Sequence, residues 1–292
     1  GIGNRSLERT SDLGGEIAKA LLNLLSMSIP LHKDIGGILG LETLYIASSV
    51  TDDLKKISLE ASLDFWLKFG PPVTISVSRL GLLIDLEKRN DNGGIFGYDL
   101  SPHIKFPNGA GIRVNAAVVT GGGFLYIDEP KGEYYGALQL SFKNIFDLKA
   151  VGIINTIMPD GTNGFSMFIL ITAEFSPFQL GFGFTLLGVG GMLGVNRGMD
   201  VEPIRVGLRT GAIRSILFPE DVVGNIQRII SDIKQIFPIK EDSFVIGLMG
   251  KIGWGTPTLI TAELGVMVEL PDPKIVILGI IKCILPSEEA PI

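Results

Sequence analysis

The sequence predicts a mainly β protein: a large curved antiparallel sheet, or a barrel-like or groove architecture, with an N-terminal helix and a helical insertion. Three observations indicate this fold class. Apolar and polar residues alternate with a period of two over most of the chain. Turn sequences rich in Asn, Asp, Gly and Pro separate the alternating runs. Glycine supplies 38 of the 292 residues without the three-residue period of collagen.

The strand predictions depend on side-chain alternation. In residues 59–69, apolar side chains from Leu59 to Phe69 alternate with polar ones, and residues 260–270 repeat the pattern. Such alternation is typical of a strand whose apolar side is half buried against a core. We therefore expect antiparallel strands over 58–187 and closing strands over 243–286.

Two segments have the helical period. Apolar residues recur at intervals of three and four residues from Ser11 or Asp12 up to Pro30. This spacing predicts a helix within an N-terminal helical segment over 1–50. Pro219 and Pro238 bound a clearer helix with a run of isoleucines, and a shorter helix is expected between Val201 and Leu217. Together these predict a helical insertion over 200–238.

No linker rich in Ser or Pro divides the chain, so the sequence predicts a single β-rich unit over 1–292. Residues 175–196 carry no formal charge and are long enough to span a bilayer as a helix. Their glycines disfavour a helix. Read with a period of two, Leu180, Phe182, Phe184 and Leu186 lie on one face of a strand and glycines line the other.

The sequence from Gly181 to Arg197, with later motifs in order, resembles an uncharacterised family. The later motifs are Gly207–Ala212, Ile216–Pro219, Ile252–Gly255 and Glu269–Pro273. The chain looks like the C-terminal module of large, β-rich microbial proteins, and the resemblance covers Ala137 to Pro286. It implies a modular β architecture and supplies no catalytic residue.

Catalytic and metal-binding motifs are not found. His32 and His103 lack a second ligand at helical or hairpin spacing, so no metal site is expected. Cys283 lies in an apolar run and is interpreted as a small core residue. No nucleophile elbow, phosphate-binding loop or complete dinucleotide motif occurs, so we expect no enzyme activity and no cofactor.

Charge limits the partners. The formal net charge is −6, which argues against a nucleic-acid partner. Arg197, Arg205, Arg209 and Arg214 form the one local basic excess and could bind a phosphate or carboxylate head group. Nearby acidic residues make internal ion pairs the alternative explanation.

Two functions remain. The first is a non-enzymatic β-rich module with an apolar groove for lipid or another hydrophobic ligand. Its lining would be Leu180, Phe182, Phe184 and Leu186, and the four arginines would be its head-group end. The second is a structural or delivery component whose apolar surfaces are covered by neighbouring modules or partner proteins. Membrane contact is compatible with both, without a spanning helix, and the sequence assigns no compartment.

Overall fold

A computed structural model describes residues 26–51, 55–89 and 97–283. In these residues fourteen β-strands form one antiparallel sheet that does not close on itself, accompanied by two α-helices. The predicted fold class, mainly β with an antiparallel sheet, is confirmed. The strands are β1 Ser26–Ile35, β2 Leu39–Thr51, β3 Lys56–Phe69, β4 Val73–Lys88, β5 Tyr98–Lys105, β6 Gly109–Asn115, β7 Val119–Asp128, β8 Glu133–Phe142, β9 Phe146–Ile157, β10 Asn163–Gly181, β11 Phe184–Arg197, β12 Ile239–Trp254, β13 Ile260–Leu270 and β14 Lys274–Cys283.

The chain divides into two compact units. The first comprises Gly1–Gly70 with Thr74–Ala110, and the second comprises Pro71–Val73 with Gly111–Ile292. The sequence, which predicts a single unit, contains no linker at these positions. One boundary falls in the short turn that contains Pro71 and Pro72, between β3 and β4, and the other at the start of β6. Similar short turns join strands within each unit, so composition does not reveal the boundaries.

In the first unit the strand order is β1-β2-β3-β4, and β5 also pairs with β4. The polar side of β3 is the better covered one. Ser62 is 1% exposed whereas Leu59 is 38% exposed, so the prediction that the apolar side of this strand is the buried one is wrong. The polar side is covered because its charged groups bond across strands: Arg79 lies 2.9 Å from Glu60, and Tyr45 donates to Asp64.

The N-terminal helical segment is corrected where the structure describes it. Residues 1–25, which hold most of the predicted helix, lie outside the described residues. Ser26–Thr51, the remainder of the segment, forms two paired strands instead of a helix. Pro30, expected to close the helix, lies inside β1, where the register with β2 shifts between Pro30 and Lys33. Proline is tolerated there because β1 is an edge strand among the described residues.

In the second unit the strand order is β6 to β14, and the helices lie between β11 and β12. Helix α1 spans Val201–Thr210 and helix α2 spans Ile226–Ile236. Asp200 caps α1 by accepting a hydrogen bond from the Glu202 N–H. Neither helix of the described residues is long and apolar enough to cross a lipid bilayer.

Helix α2 is the longest helix in the described residues and lies within Pro219–Pro238, as predicted. Its start differs from the prediction. The first turn was expected at Pro219 and Asp221, but Asp221 has a positive φ of 43° and the helix begins at Ile226. Its isoleucines recur at three and four and are all buried: Ile226, Ile229, Ile230, Ile233 and Ile236.

A hairpin interrupts the predicted strand through Leu180 and Leu186. β10 ends at Gly181, β11 begins at Phe184, and these two residues pair with each other. The central residues Phe182 and Gly183 both have positive φ, 53° and 80°, as in a type I′ turn. The period of two was correct on either side of the turn, but the continuous strand was wrong because the glycines here make a turn.

We expect Gly183→Val to lower the free energy of unfolding by roughly 1–3 kcal/mol, because a branched residue is strained at positive φ. A Cβ atom at this position would also lie 3.1 Å from the ring nitrogen of Trp254. The control is Gly250→Val in β12, where a Cβ meets nothing within 4 Å. Urea denaturation of both variants tests this expectation, and equal losses would contradict it.

Candidate hydrophobic binding surface

The register of β8 to β14 assigns every side chain to one of two faces. Residues directly opposite each other in an antiparallel pair lie on the same face. Val245 pairs with Glu269, and Gly247 pairs with Met267; these belong to the face that we call the covered face. The intervening pairs, such as Leu248 with Val266, belong to the other face, which we call the apolar face.

Helix α2 packs on the covered face, and Ile204 of α1 belongs to the same buried core. The buried core joins sheet residues such as Val151, Phe168 and Met267 to the isoleucines of α2. Phe168 of β10 stacks on Phe237, directly after α2, with ring centroids 4.4 Å apart. The core of the second unit therefore lies between the helices and this one face.

Glycines on the covered face leave room for the core. A Cβ at Gly247 would lie 2.4 Å from Cγ of Met192, and one at Gly265 would lie 2.7 Å from Cδ2 of Leu217. Both distances are below van der Waals contact, so a larger residue would displace its neighbour. Small residues in the sheet are thus matched to bulky ones that pack on it.

The apolar face is exposed in the described residues. Among its members Ile277 is 74% exposed and Leu248 is 72% exposed. The strand prediction for residues 260–270 is accordingly wrong about burial: Leu264 and Val266 are exposed, while Glu263 and Glu269 are buried. From β10 to β14 the face is formed by Met167, Ile169, Ile171, Ala173, Phe178, Phe184, Leu186, Val189, Gly191, Leu193, Val195, Phe244, Ile246, Leu248, Gly250, Ile252, Trp254, Ile260, Ala262, Leu264, Val266, Val268, Leu270, Ile275, Ile277, Gly279, Ile281 and Cys283.

This face is large and uncharged. Its five strands are spaced about 4.8 Å apart, and side chains at intervals of about 6.7 Å along them give a surface on the order of 900 Å². The largest apolar patch on a typical monomer is about 300–600 Å². From β10 to β14 the positions above include no charged residue. A surface of this size and composition is suited to an apolar ligand.

The charges of these strands lie on the covered face instead. They form a row that we call the charge ladder: Lys149 in β9, Glu174 in β10, Lys251 in β12, Glu263 in β13 and Lys282 in β14. Nζ of Lys149 lies 3.1 Å from Glu174, and Nζ of Lys251 lies 2.6 Å from Glu174 and 3.6 Å from Glu263. Nζ of Lys282 lies 3.3 Å from Glu263.

Gly188 of β11 lets the charge ladder cross a strand. It is in register with Glu174 on one side and with Lys251 on the other. A Cβ at this position would lie 3.0 Å from the Phe218 ring and 3.2 Å from Cγ of Glu174. Glycine therefore allows the ion pair between Glu174 and Lys251 to form over the backbone of β11.

The ladder shifts the pKa values of Glu174 and Lys251. Burial opposes ionisation of Glu174, but the hydrogen bond from Lys251 and the attraction of Lys149 outweigh it, so the pKa of Glu174 is lowered. Burial likewise opposes the charge on Lys251, yet Glu174 and Glu263 raise the pKa of Lys251. These groups are therefore held in their charged forms.

A second acidic centre lies near the start of α1. Glu269 is almost fully buried and accepts hydrogen bonds from the Met199 N–H, Lys240 and Lys274. Burial opposes its ionisation, and these three donors together lower the pKa of Glu269. The carboxylate thus ties β12, β13 and β14 to the segment that leads into α1.

The four arginines of the predicted head-group site do not share one environment. Arg197 is 1% exposed; its guanidinium donates to the Phe237 carbonyl and the Asn155 side-chain oxygen, and burial lowers its pKa to about 10. Arg205 lies 2.8 Å from Glu202 in an exposed ion pair. Arg209 and Arg214 are exposed at the end of α1 and in the following 3₁₀ turn.

The predicted apolar lining lies around the hairpin. Leu180 and Phe184 are about half exposed, and Phe182, at the tip, is 99% exposed. Leu186 is partly buried and belongs to the apolar face. The structure therefore places Phe184 and Leu186 at the start of β11, on the apolar face, and Phe182 in the turn that precedes this strand.

Most of the apolar face was missed at the sequence level. Its members in β13 were expected on the buried side because alternation alone does not say which side is covered. One signal was available: in β13 the alternate positions hold Glu263, Gly265, Met267 and Glu269. Cys283, predicted as a core residue, is exposed at the end of β14 because it pairs with Ile260 on the apolar face.

The described residues contain two further features of interest. A cleft of about 550 Å³ lies beside α1 and α2, but Asp200 caps α1 and Asp232 accepts a hydrogen bond from Ser215 there. No three His, Cys, Asp or Glu side chains of the described residues come together as a metal site requires. Asp200 and Asp232 of the cleft are thus engaged within the protein, and the apolar face is the stronger candidate for a binding site.

Fold and surface together define a class: an open antiparallel sheet with one helix-covered face and one exposed apolar face. The chain belongs to DUF6603, a family of unknown function, whose model matches residues 31–292. The expected membership of an uncharacterised family is confirmed, over a longer stretch than the motifs indicated. No curated protein and no solved structure matches the chain.

Lowering the pH should destabilise the protein through its buried glutamates. Because the pKa values of Glu174 and Glu269 are lowered in the folded state, the stability they contribute is complete above the ordinary value of 4.5 and is lost as pH falls through the folded pKa. We expect Glu269→Gln to lose about 1–3 kcal/mol at pH 7 and to show a smaller further loss in acid.

Urea unfolding at pH 7 and pH 3.5 measures both effects. The exposed pair supplies the control, since Glu202→Gln removes only a solvent-screened interaction and should change stability by less than about 1 kcal/mol. An acid-induced loss of the same size in Glu269→Gln and the unaltered protein would contradict the assignment.

Proposed function

We propose that this protein is a non-enzymatic module that binds lipid or another hydrophobic ligand on the apolar face of its sheet. The observation that supports the proposal is the exposure of that face: Leu248, Ile277 and Ile281 are each at least 70% exposed. Each apolar side chain removed from water would contribute roughly 1.5–3 kcal/mol if fully buried. A ligand that covers several of them therefore has ample driving force.

The chemistry of the face favours hydrocarbon. From β10 to β14 it offers methyl, methylene and aromatic groups and no charged side chain. The backbone groups of these strands are paired within the sheet, so the face has few hydrogen-bonding groups for a polar ligand. An acyl chain requires none, and its burial leaves no unpaired polar group behind.

The head-group contact is a separate part of the proposal. Arg197 offers no exposed surface to a ligand, and Arg205 is paired with Glu202. Arg209 and Arg214 remain the candidates among the four predicted arginines. The affinity would therefore come mainly from the apolar face, with little dependence on ionic strength.

The second candidate function is a structural or delivery component whose apolar face is covered by a neighbouring module or a partner protein. The size of the face supports it, since a standard protein interface buries about 800 Å² on each partner. Such interfaces also carry about one hydrogen bond per 100–200 Å². The uncharged surface lacks side chains for so many bonds, and we therefore prefer the hydrocarbon ligand.

Leu248→Lys should reduce lipid binding, because it places a charge in the middle of the apolar face at a solvent-exposed position. We expect at least a tenfold weaker affinity for a fluorescent C16 fatty acid, measured by titration. We also expect less lipid in an organic extract of the purified protein, measured by mass spectrometry.

The matched control is Leu208→Lys, which adds the same charge at a leucine that is 45% exposed on α1. This variant should bind the fatty acid like the unaltered protein. Absence of lipid from the extract, together with probe binding that is equal in the two variants, would overturn the proposal. Self-association abolished by Leu248→Lys, without probe binding, would favour the second candidate function.

A further inference from the structure

Strand β14 is the last strand of the sheet in the described residues, and the only protection of its outer edge there is two inward-pointing lysines, Lys274 and Lys282. Edge strands are commonly blunted by proline, by a bulge or by an inward-pointing charge, because their free N–H and C=O groups can pair with another chain. β1, at the other end of the strand order, contains Pro30 and a register shift. β14 contains neither, and its register with β13 is continuous from Lys274 to Cys283.

The charges of β14 also point to a partner. Lys274 and Lys282 lie on its covered face, eight residues apart. Each is a second cation on a buried glutamate that already holds another lysine. Glu269 binds Lys240 as well as Lys274, and Glu263 binds Lys251 as well as Lys282. Glu220 also lies 3.9 Å from Lys282, but its side chain is 81% exposed and solvent screens it.

The charged residues of the ladder alternate in sign, with Gly188 of β11 between Glu174 and Lys251, and the last of them is a lysine. Along it, Lys251 of β12 is followed by Glu263 of β13 and then by Lys282 of β14. A strand added beside β14 would continue the alternation if it carried a carboxylate near Lys282. A second carboxylate eight residues away would meet Lys274 in the same way, because opposite residues of paired strands share a face.

We propose that the outer edge of β14 binds an extended segment of a partner polypeptide by strand addition. The partner segment carries two acidic side chains eight residues apart on one face and apolar or small residues between them. Its backbone completes the hydrogen bonds of β14, and its acidic residues pair with Lys274 and Lys282. This inference is independent of the proposed lipid-binding function.

A second copy of the chain fits this edge less well. Antiparallel pairing of two β14 strands centred on Leu278 would place Lys274 of one copy opposite Lys282 of the other at both ends. Like charges directly opposite each other destabilise a strand pair. The charge pattern therefore favours an acidic segment over self-association.

Two nine-residue peptides test the proposal. The first has Glu at both ends with alternating Thr and Val between them, and the second has Lys in place of each Glu. We expect the unaltered protein to bind the Glu peptide at least about tenfold more tightly than the Lys peptide, since two attractive pairs become repulsive. Fluorescence anisotropy of labelled peptides measures this ratio.

The site is located by amide hydrogen exchange. The Glu peptide should protect every second amide of β14, those that point away from β13, and leave β1 unchanged. The variant Lys274→Gln/Lys282→Gln should bind both peptides equally. It should stay folded, because Lys240 and Lys251 still pair with the two buried glutamates. Circular dichroism checks the fold, and Lys33→Gln on β1 is the control that should keep the full discrimination.

Equal binding of the two peptides by the unaltered protein, or protection elsewhere than on β14, would overturn the proposal. So would a dimer, detected by light scattering, that protects the outer amides of β14 and that the Glu peptide does not dissociate. Loss of fatty-acid binding in Leu248→Lys with intact peptide binding would separate this inference from the lipid-binding proposal.

Discussion

The packing of α2 on the sheet determines which surface of the second unit is core and which is open. Five isoleucines of this helix occupy one side of it, and they belong to the buried core that includes residues of the covered face. One layer of helices can bury only one face of a sheet. The apolar side chains on the opposite face are therefore left exposed in the described residues.

This arrangement also explains where the charges lie. Lys251 and Glu263 are placed beneath or beside the helical layer, where each has an oppositely charged neighbour. A buried charge without a partner would be costly, so the ladder has to be continuous across the strands. Gly188 preserves that continuity at β11, since a larger residue would collide with Phe218 and Glu174. The same face thus combines a dry core with a row of matched charges.

Much of the fold could be predicted from the sequence because it depends on local patterns. Alternation and turn residues indicated the antiparallel strands, and the spacing of isoleucines between Pro219 and Pro238 indicated α2. Such patterns do not show which of the two faces of the sheet the helices cover. A strand such as β13, with leucine and valine on one side and glutamate, glycine and methionine on the other, is normally interpreted with its aliphatic side inward.

The sequence therefore predicted an apolar candidate site, but it did not predict most of the residues that form it. Long-range contacts decide the matter: Glu269 reaches the Met199 N–H, and Arg197 reaches the Phe237 carbonyl, across forty or more residues of sequence. Because these hydrogen bonds satisfy their polar groups, Glu269 and Arg197 can be buried. No short window of the sequence contains both partners of either bond. The hairpin at Phe182 was missed for a different reason, since glycine is compatible with both a strand and a positive φ.

The position of the helices in the chain has a consequence for the order of folding. β11 and β12 are neighbours in the sheet, yet Arg197 and Ile239 are separated by the whole helical segment. Pairing these strands closes a loop of about forty residues, and the entropic cost of closure must be met before the pairing is rewarded. The hairpin of β10 and β11 and that of β12 and β13 have short connections and can close first. Pairing of β11 with β12 is then the long-range step that joins the two hairpins, so the rate of folding should depend on it rather than on any single turn.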